Sequence, residues 1–211
     1  MRVLILSCST GEGHNSAANA IYEELVSRKE TVYMKDALSF GNRKVEKIIK
    51  SFFNGVAVKT PSIFGAMYKA GAVISNSVVK SPIYLANLTY AEKLYKFIMN
   101  NNIDSVVCTH LFPMETLTFL KKIKKLKSKC YAILTDYTAI PFIEETELDG
   151  YFIPHRSLEK EFVNKKINKE KIHPLGIPVS TKFTKEINKE TARKMLGLPL
   201  NRKIILVMGG A

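Results

Sequence analysis

No stretch of the chain reaches the about 18 uninterrupted apolar residues that crossing a bilayer requires. The apolar run at the amino terminus, Val3 to Leu6, is too short for a signal peptide and no small-residue cleavage site follows it. Cysteine is scarce. Cys8, Cys108 and Cys130 are odd in number and scattered, each in or beside a strand-like run, which argues for buried reduced thiols in a cytoplasmic protein rather than a disulfide framework. Cysteines and histidines show no metal-ligand spacing, so no metal site is expected. Recognition-helix, zinc-finger and aromatic RNA-binding signatures are also missing, and the basic runs are not interleaved with stacking aromatics, so nucleic acid is not an expected partner.

Acidic residues are few as well. Nineteen Asp and Glu face 32 Lys and Arg, giving a formal charge of +13. The excess is clustered at Arg43–Lys50, at Lys121–Lys129 and from Lys160 through Lys171. Such runs usually form solvated helix faces, but charge on this scale favours an anionic partner: anionic lipid or a phosphate ligand. With 211 residues, 46% of them hydrophobic, the chain can bury a core, as one full domain plus a further piece or as two small domains.

Strands and helices alternate. Val3–Ser7, Thr31–Lys35, Ser105–Thr109, Lys129–Thr135 and Gly150–Ile153 read as strands, apolar on both faces as in a sheet covered on both sides. Asn15–Arg28, Tyr90–Asn100, Met114–Lys127 and Leu158–Asn168 read as helices. The pattern predicts an α/β fold, a doubly wound Rossmann-like parallel sheet. Residues 40–88 interrupt the rhythm as a helical insertion, apolar and basic with almost no acids after Glu46. Phe64, Met67, Lys59 and Lys69 in that insertion are the expected membrane contacts. The expected domain spans residues 1–178, followed by a linker at 179–201. Residues 202–211 read as the first strand of a second α/β domain whose remainder is absent.

The most informative turn follows the first strand. Thr10-Gly11-Glu12-Gly13-His14-Asn15 joins strand to helix, an arrangement that presents a helix amino terminus to an anionic ligand. Small residues let the backbone approach a phosphate, and His14 adds a group that titrates near neutrality and can move a proton. The alternative for His14 is a capping histidine in an ordinary turn. His110 and Asp136 stand at the ends of two further strands, where turns line a crevice in sheets of this kind. Gly11-x-Gly13 with Asp36 at the end of the second strand also imitates a dinucleotide fingerprint, leaving an NAD(P)-dependent enzyme as an alternative. A non-enzymatic basic module that docks on anionic membrane is the other.

Five motifs in order resemble one family. They are Gly11-Glu-Gly13-His14-Asn-Ser-Ala-Ala, Thr109-His110-Leu-Phe-Pro113, Thr135-Asp136-Tyr137, Gly176-Ile-Pro-Val, and Leu196-Gly-Leu followed by Ile204–Gly210. Together they resemble the diacylglycerol glycosyltransferases of glycosyltransferase family 28: monogalactosyldiacylglycerol synthases and processive diacylglycerol β-glucosyltransferases. Where many relatives place a His and a Trp after the Thr-Asp turn, this chain has Thr138-Ala-Ile-Pro-Phe142. The resemblance implies the amino-terminal, acceptor half of a two-domain type-B glycosyltransferase. It implies an inverting hexosyl transfer from a UDP-sugar to diacylglycerol at the inner face of the cell membrane, with peripheral attachment. His14 would be the general base and Asp136 its orienting partner or an alternative base. Gly11, Gly13, Asn15, His110 and Tyr137 would contact acceptor or phosphate. The UDP-sugar is a co-substrate held by the missing half, no cofactor is expected, and the fragment alone is expected to be inactive.

Overall fold

The computed structural model describes residues 1–8, 12–41, 84 and 87–207. The expected insertion at 40–88, with Lys59, Phe64, Met67 and Lys69, therefore lies outside the described residues but for its edges. Gly11 and the terminal Gly209-Gly210 turn lie outside them too. The chain divides into two units, residues 1–180 and 181–211.

The first unit is built on a six-stranded, all-parallel sheet: β1 (Arg2–Ser7), β2 (Thr31–Asp36), β3 (Ser105–Cys108), β4 (Lys129–Ile133), β5 (Gly150–Phe152) and β6 (Ile172–His173). Its spatial order is β2-β1-β3-β4-β5-β6. Helices α1 (Glu12–Ser27), α2 (Ala91–Asn100), α3 (Leu111–Ile123) and α4 (Glu159–Asn164) connect the strands. The period-2 alternation of β1 explains why both faces of the sheet must be covered. Val3 and Ile5 bury against Ala18 of α1 and its neighbours Ile21 and Leu25. Leu4 and Leu6 bury in the larger cluster with Leu94 and Ile98 of α2 and Met114 and Leu117 of α3. The sheet is doubly wound, as the alternating pattern predicted.

The starts of two helices moved, and one strand was added. The first helix opens at Glu12, not Asn15, so Gly13 and His14 lie in its first turn rather than in a loop. Glu12 complements the positive end of the helix there. The α3 helix opens at Leu111 rather than Met114. His110 is its amino-terminal cap, and Pro113 is tolerated because a first-turn residue has no intrahelical partner for an N–H anyway. The sixth strand was not foreseen, since two residues are too short to carry a pattern. Gly150 opens β5 because a Cβ there would stand 3.1 Å from the Tyr131 ring.

The basic run of 121–129 is largely paired. Lys121 and Lys129 meet Asp149 at 2.7 and 3.7 Å, Lys122 meets Glu147 at 3.1 Å, and Lys124 meets Glu92 at 3.2 Å. These pairs neutralise much of the charge that this run contributes on sequence grounds. The three cysteines are free and buried, as expected.

In the second unit, Asn188 caps α5 (Lys189–Met195) by accepting the Glu190 amide at 2.9 Å, and Gly197 ends it in the left-handed conformation at φ +65°. Residues 203–207 carry no strand pairing, and Ile205, Leu206 and Val207 are exposed.

Candidate functional site

In a doubly wound sheet the crevice forms outside the carboxyl ends of the strands, where successive connections leave in opposite directions. Here that point falls between β1 and β3. From β1 the chain goes by way of α1 to β2 on one side, while the later strands grow outward on the other. The sequence puts a histidine at each carboxyl end: His14 in the first turn of α1, following β1, and His110 directly after β3. The fold brings these residues, almost a hundred positions apart, into contact. Their rings meet edge to face with centroids 5.0 Å apart and an interplanar angle of 78°.

Each imidazole has an identifiable partner. The Nδ1 of half-buried His14 lies 2.9 Å from Oγ1 of Thr135, just beyond β4. The Nδ1 of His110 accepts the backbone N–H of Phe112 at 3.3 Å, which is the helix cap, and its ring also packs on that of Phe112 with centroids 4.5 Å apart. Burial first, then the neighbouring charge of His14, push the His110 imidazole down to about 3, against an opposing pull from Asp36. His110 is therefore a neutral ring at physiological pH. Part of its surface still meets solvent.

The remaining expected residues surround this pair. Asn15 accepts the Ser7 hydroxyl at 2.6 Å, tying the start of α1 to the end of β1. Gly13 is exposed, a Cβ there would meet nothing within 4 Å, and its φ is not left-handed. Neither packing nor backbone conformation demands glycine at that point, whereas close approach of a ligand would. Asp136 is half-buried and Tyr137 is 70% exposed on the loop after β4. The hydrogen bond described for His14 goes to Thr135, the residue before the expected partner Asp136. Asp36 at the end of β2 spends its carboxylate on the Leu38 amide at 2.9 Å, capping a short 3₁₀ turn.

Sequence reasoning missed two contributors. Thr135 stood inside a recognised motif, but a pairing across 121 positions leaves no local signal. Glu161 of α4 holds the loop after β4 twice through one oxygen, accepting the Thr138 hydroxyl at 2.6 Å and the Ala139 amide at 2.8 Å. A cleft of about 610 Å³ lies at the opposite, amino-terminal end of the sheet, lined among others by Tyr95, Met99, Lys124 and Leu126. It contains no histidine and is not where this topology places a ligand.

The order of strands and the paired histidines at the switch point define a doubly wound, Rossmann-like sheet with a candidate site at the carboxyl ends of β1 and β3. A solved structure agrees at the level of fold: the lipopolysaccharide outer core galactosyltransferase WaaB in its apo form, with TM-score 0.51 and 10% identity over 83% of this chain and 45% of that one. The family profile of monogalactosyldiacylglycerol (MGDG) synthase matches residues 14–179, and the chain belongs to that family. Processive diacylglycerol beta-glucosyltransferases from Bacillus cereus (strain AH187) and Bacillus anthracis (strain CDC 684 / NRRL 3495) are each 24% identical over 212 residues, covering 100% of this chain and 53% of their own. The chain thus spans about half the length of the curated relatives it matches. No helix among the described residues is long and apolar enough to cross a membrane, and no group of three or more His, Cys, Asp and Glu among them could hold a metal ion.

Proposed function

We propose that this chain is the acceptor-binding half of an inverting diacylglycerol glycosyltransferase, with His14 as the general base that takes the proton from the acceptor hydroxyl. The observation that carries the reading is the position of His14: a half-buried imidazole at the β1/β3 switch point, with one ring nitrogen engaged by Thr135. Inverting transfer needs one group to deprotonate the attacking hydroxyl and others to stabilise the departing diphosphate. Proton transfer by a positioned imidazole supplies about 10²- to 10⁴-fold of rate. The open approach at Gly13, beside the amino terminus of α1, suits a phosphate-bearing donor closing over the site.

Asp136 and Tyr137 on the neighbouring loop are assigned to acceptor contacts, and neutral His110 to holding the His14 ring. The donor, a UDP-sugar, belongs to a second domain such as the relatives' additional length would provide. No cofactor is needed for this chemistry. Peripheral attachment to the inner membrane face follows from the acceptor, which must be met at the bilayer surface, and from the basic, apolar segment around Lys59, Phe64, Met67 and Lys69. The test is to offer radiolabelled UDP-glucose and UDP-galactose to the complete gene product with diacylglycerol vesicles. Labelled glycolipid supports the reading. Its absence with both sugars, under conditions where a processive relative is active, refutes it.

A further inference from the structure

We propose that Thr135 is a positioning residue that fixes the tautomer of His14, accepting the proton on Nδ1 and so leaving the Nε2 lone pair as the only basic site of that ring. The inference rests on the reading of His14 as a base, because a 2.9 Å contact between an imidazole nitrogen and a hydroxyl can run in either direction. Only one direction suits the chemistry. If the hydroxyl donated to Nδ1, the ring proton would sit on Nε2, and the outer nitrogen would be a donor unable to accept a proton.

The surroundings keep Thr135 where this role needs it. The preceding Leu134 amide donates to the Phe152 carbonyl at 2.8 Å, continuing the β4–β5 ladder past the last strand residue. Three and four residues further on, Glu161 grips Thr138 and Ala139. The hydroxyl is thus carried on a short segment secured at both ends. On the other side, His110 packs against the His14 ring and limits its rotation.

His110 provides an internal contrast. Its Nδ1 accepts a backbone N–H, and a backbone amide can only donate. A neutral His110 therefore carries its own proton on Nε2, the opposite tautomer. Two touching imidazoles are held in complementary states, one by a hydroxyl and one by an amide. The same logic governs metal-bound histidines, where the partner of one nitrogen decides what the other does.

Nitrogen-15 spectra of the histidine rings decide the matter directly, on this 211-residue chain and without any assay of sugar transfer. They are recorded above the ordinary imidazole titration range. The expected result is a protonated Nδ1 for His14 and a protonated Nε2 for His110. Thr135→Ser keeps the hydroxyl and retains the His14 pattern. Thr135→Val keeps the shape, removes the hydroxyl and loses it, while His110 stays unchanged. In the complete gene product, Thr135→Val lowers kcat by about tenfold, the net worth of one hydrogen bond, with KM little changed and Thr135→Ser close to wild type. A wild-type His14 protonated on Nε2 overturns the proposal. So does a His14 Nδ1–H signal that survives in Thr135→Val. Should Thr135→Val fail to fold, the wild-type and Thr135→Ser spectra still decide between the two tautomers. A correct tautomer in a protein that transfers no sugar would instead count against the function, leaving the hydrogen-bond assignment standing.

Discussion

Acid should destabilise the amino-terminal unit through His110, and replacing that residue should remove the effect. In the unfolded chain an imidazole takes a proton near pH 6.5, but in the folded unit His110 does so only at about 3. Between those values the unfolded state holds one more proton, so stability is full above pH 6.5 and falls as pH drops through the window. At its steepest the loss from one group is about 1.4 kcal/mol per pH unit. Complete burial would amount to about 5 kcal/mol across the window. The part of the ring that still meets solvent reduces the expectation to about 2–3 kcal/mol.

The comparison is with His110→Asn, which retains a side-chain oxygen to cap α3 and so isolates titration from loss of the cap, itself worth about 1 kcal/mol. Urea unfolding at pH 7, 6, 5 and 4 gives stability against pH for both proteins. Other titrating groups, Asp36 and His14 beside the ring included, remain in both chains and largely cancel in the difference. The wild-type slope should exceed the variant's between pH 6 and pH 4. Parallel curves would refute the assignment of a buried, neutral His110.

Gly13→Ala should raise stability by about 0.5–1 kcal/mol, because the first turn of α1 has room for a Cβ, yet impair sugar transfer if a ligand needs that space; unchanged transfer would remove the case for close approach. Glu161→Ala should lower stability by about 1–3 kcal/mol by freeing the Thr138 hydroxyl and the Ala139 amide, and faster amide exchange at Ala139 would report the loosened loop. Binding to anionic vesicles should weaken with salt, and replacing Phe64 and Met67 with serine should weaken it further; vesicles ignored at low salt would remove the membrane role from residues 40–88.

What was legible in the sequence followed the hydrophobic pattern. Val3 to Leu6 announced a strand buried on both faces, and the structure divides those residues between the two sides of the sheet. The start of α1 was misplaced because Gly13 signals a turn, whereas here it is a helical residue with open space beside it. The start of α3 was misplaced because histidine is not among the usual helix caps, so His110 gave no boundary signal. The site's residue types could be read, but not their pairing. Asp136 was expected to orient His14 or to serve as an alternative base; the hydrogen bond seen on Nδ1 of His14 is made by the hydroxyl one position earlier. Side-chain direction past the end of a strand departs from the strand's alternation, and β4 ends at Ile133, its ladder reaching only the Leu134 amide, rather than running to Thr135.

The account turns on His14 as the proton acceptor. Turnover of the complete gene product on diacylglycerol vesicles, measured for wild type and His14→Ala under the same saturating UDP-sugar, tests it most directly. A fall in kcat of about 10²- to 10⁴-fold, with vesicle binding unchanged, is the predicted result. A His14→Ala protein that transfers sugar at close to the wild-type rate would contradict it and return the residue to a structural place at the head of α1.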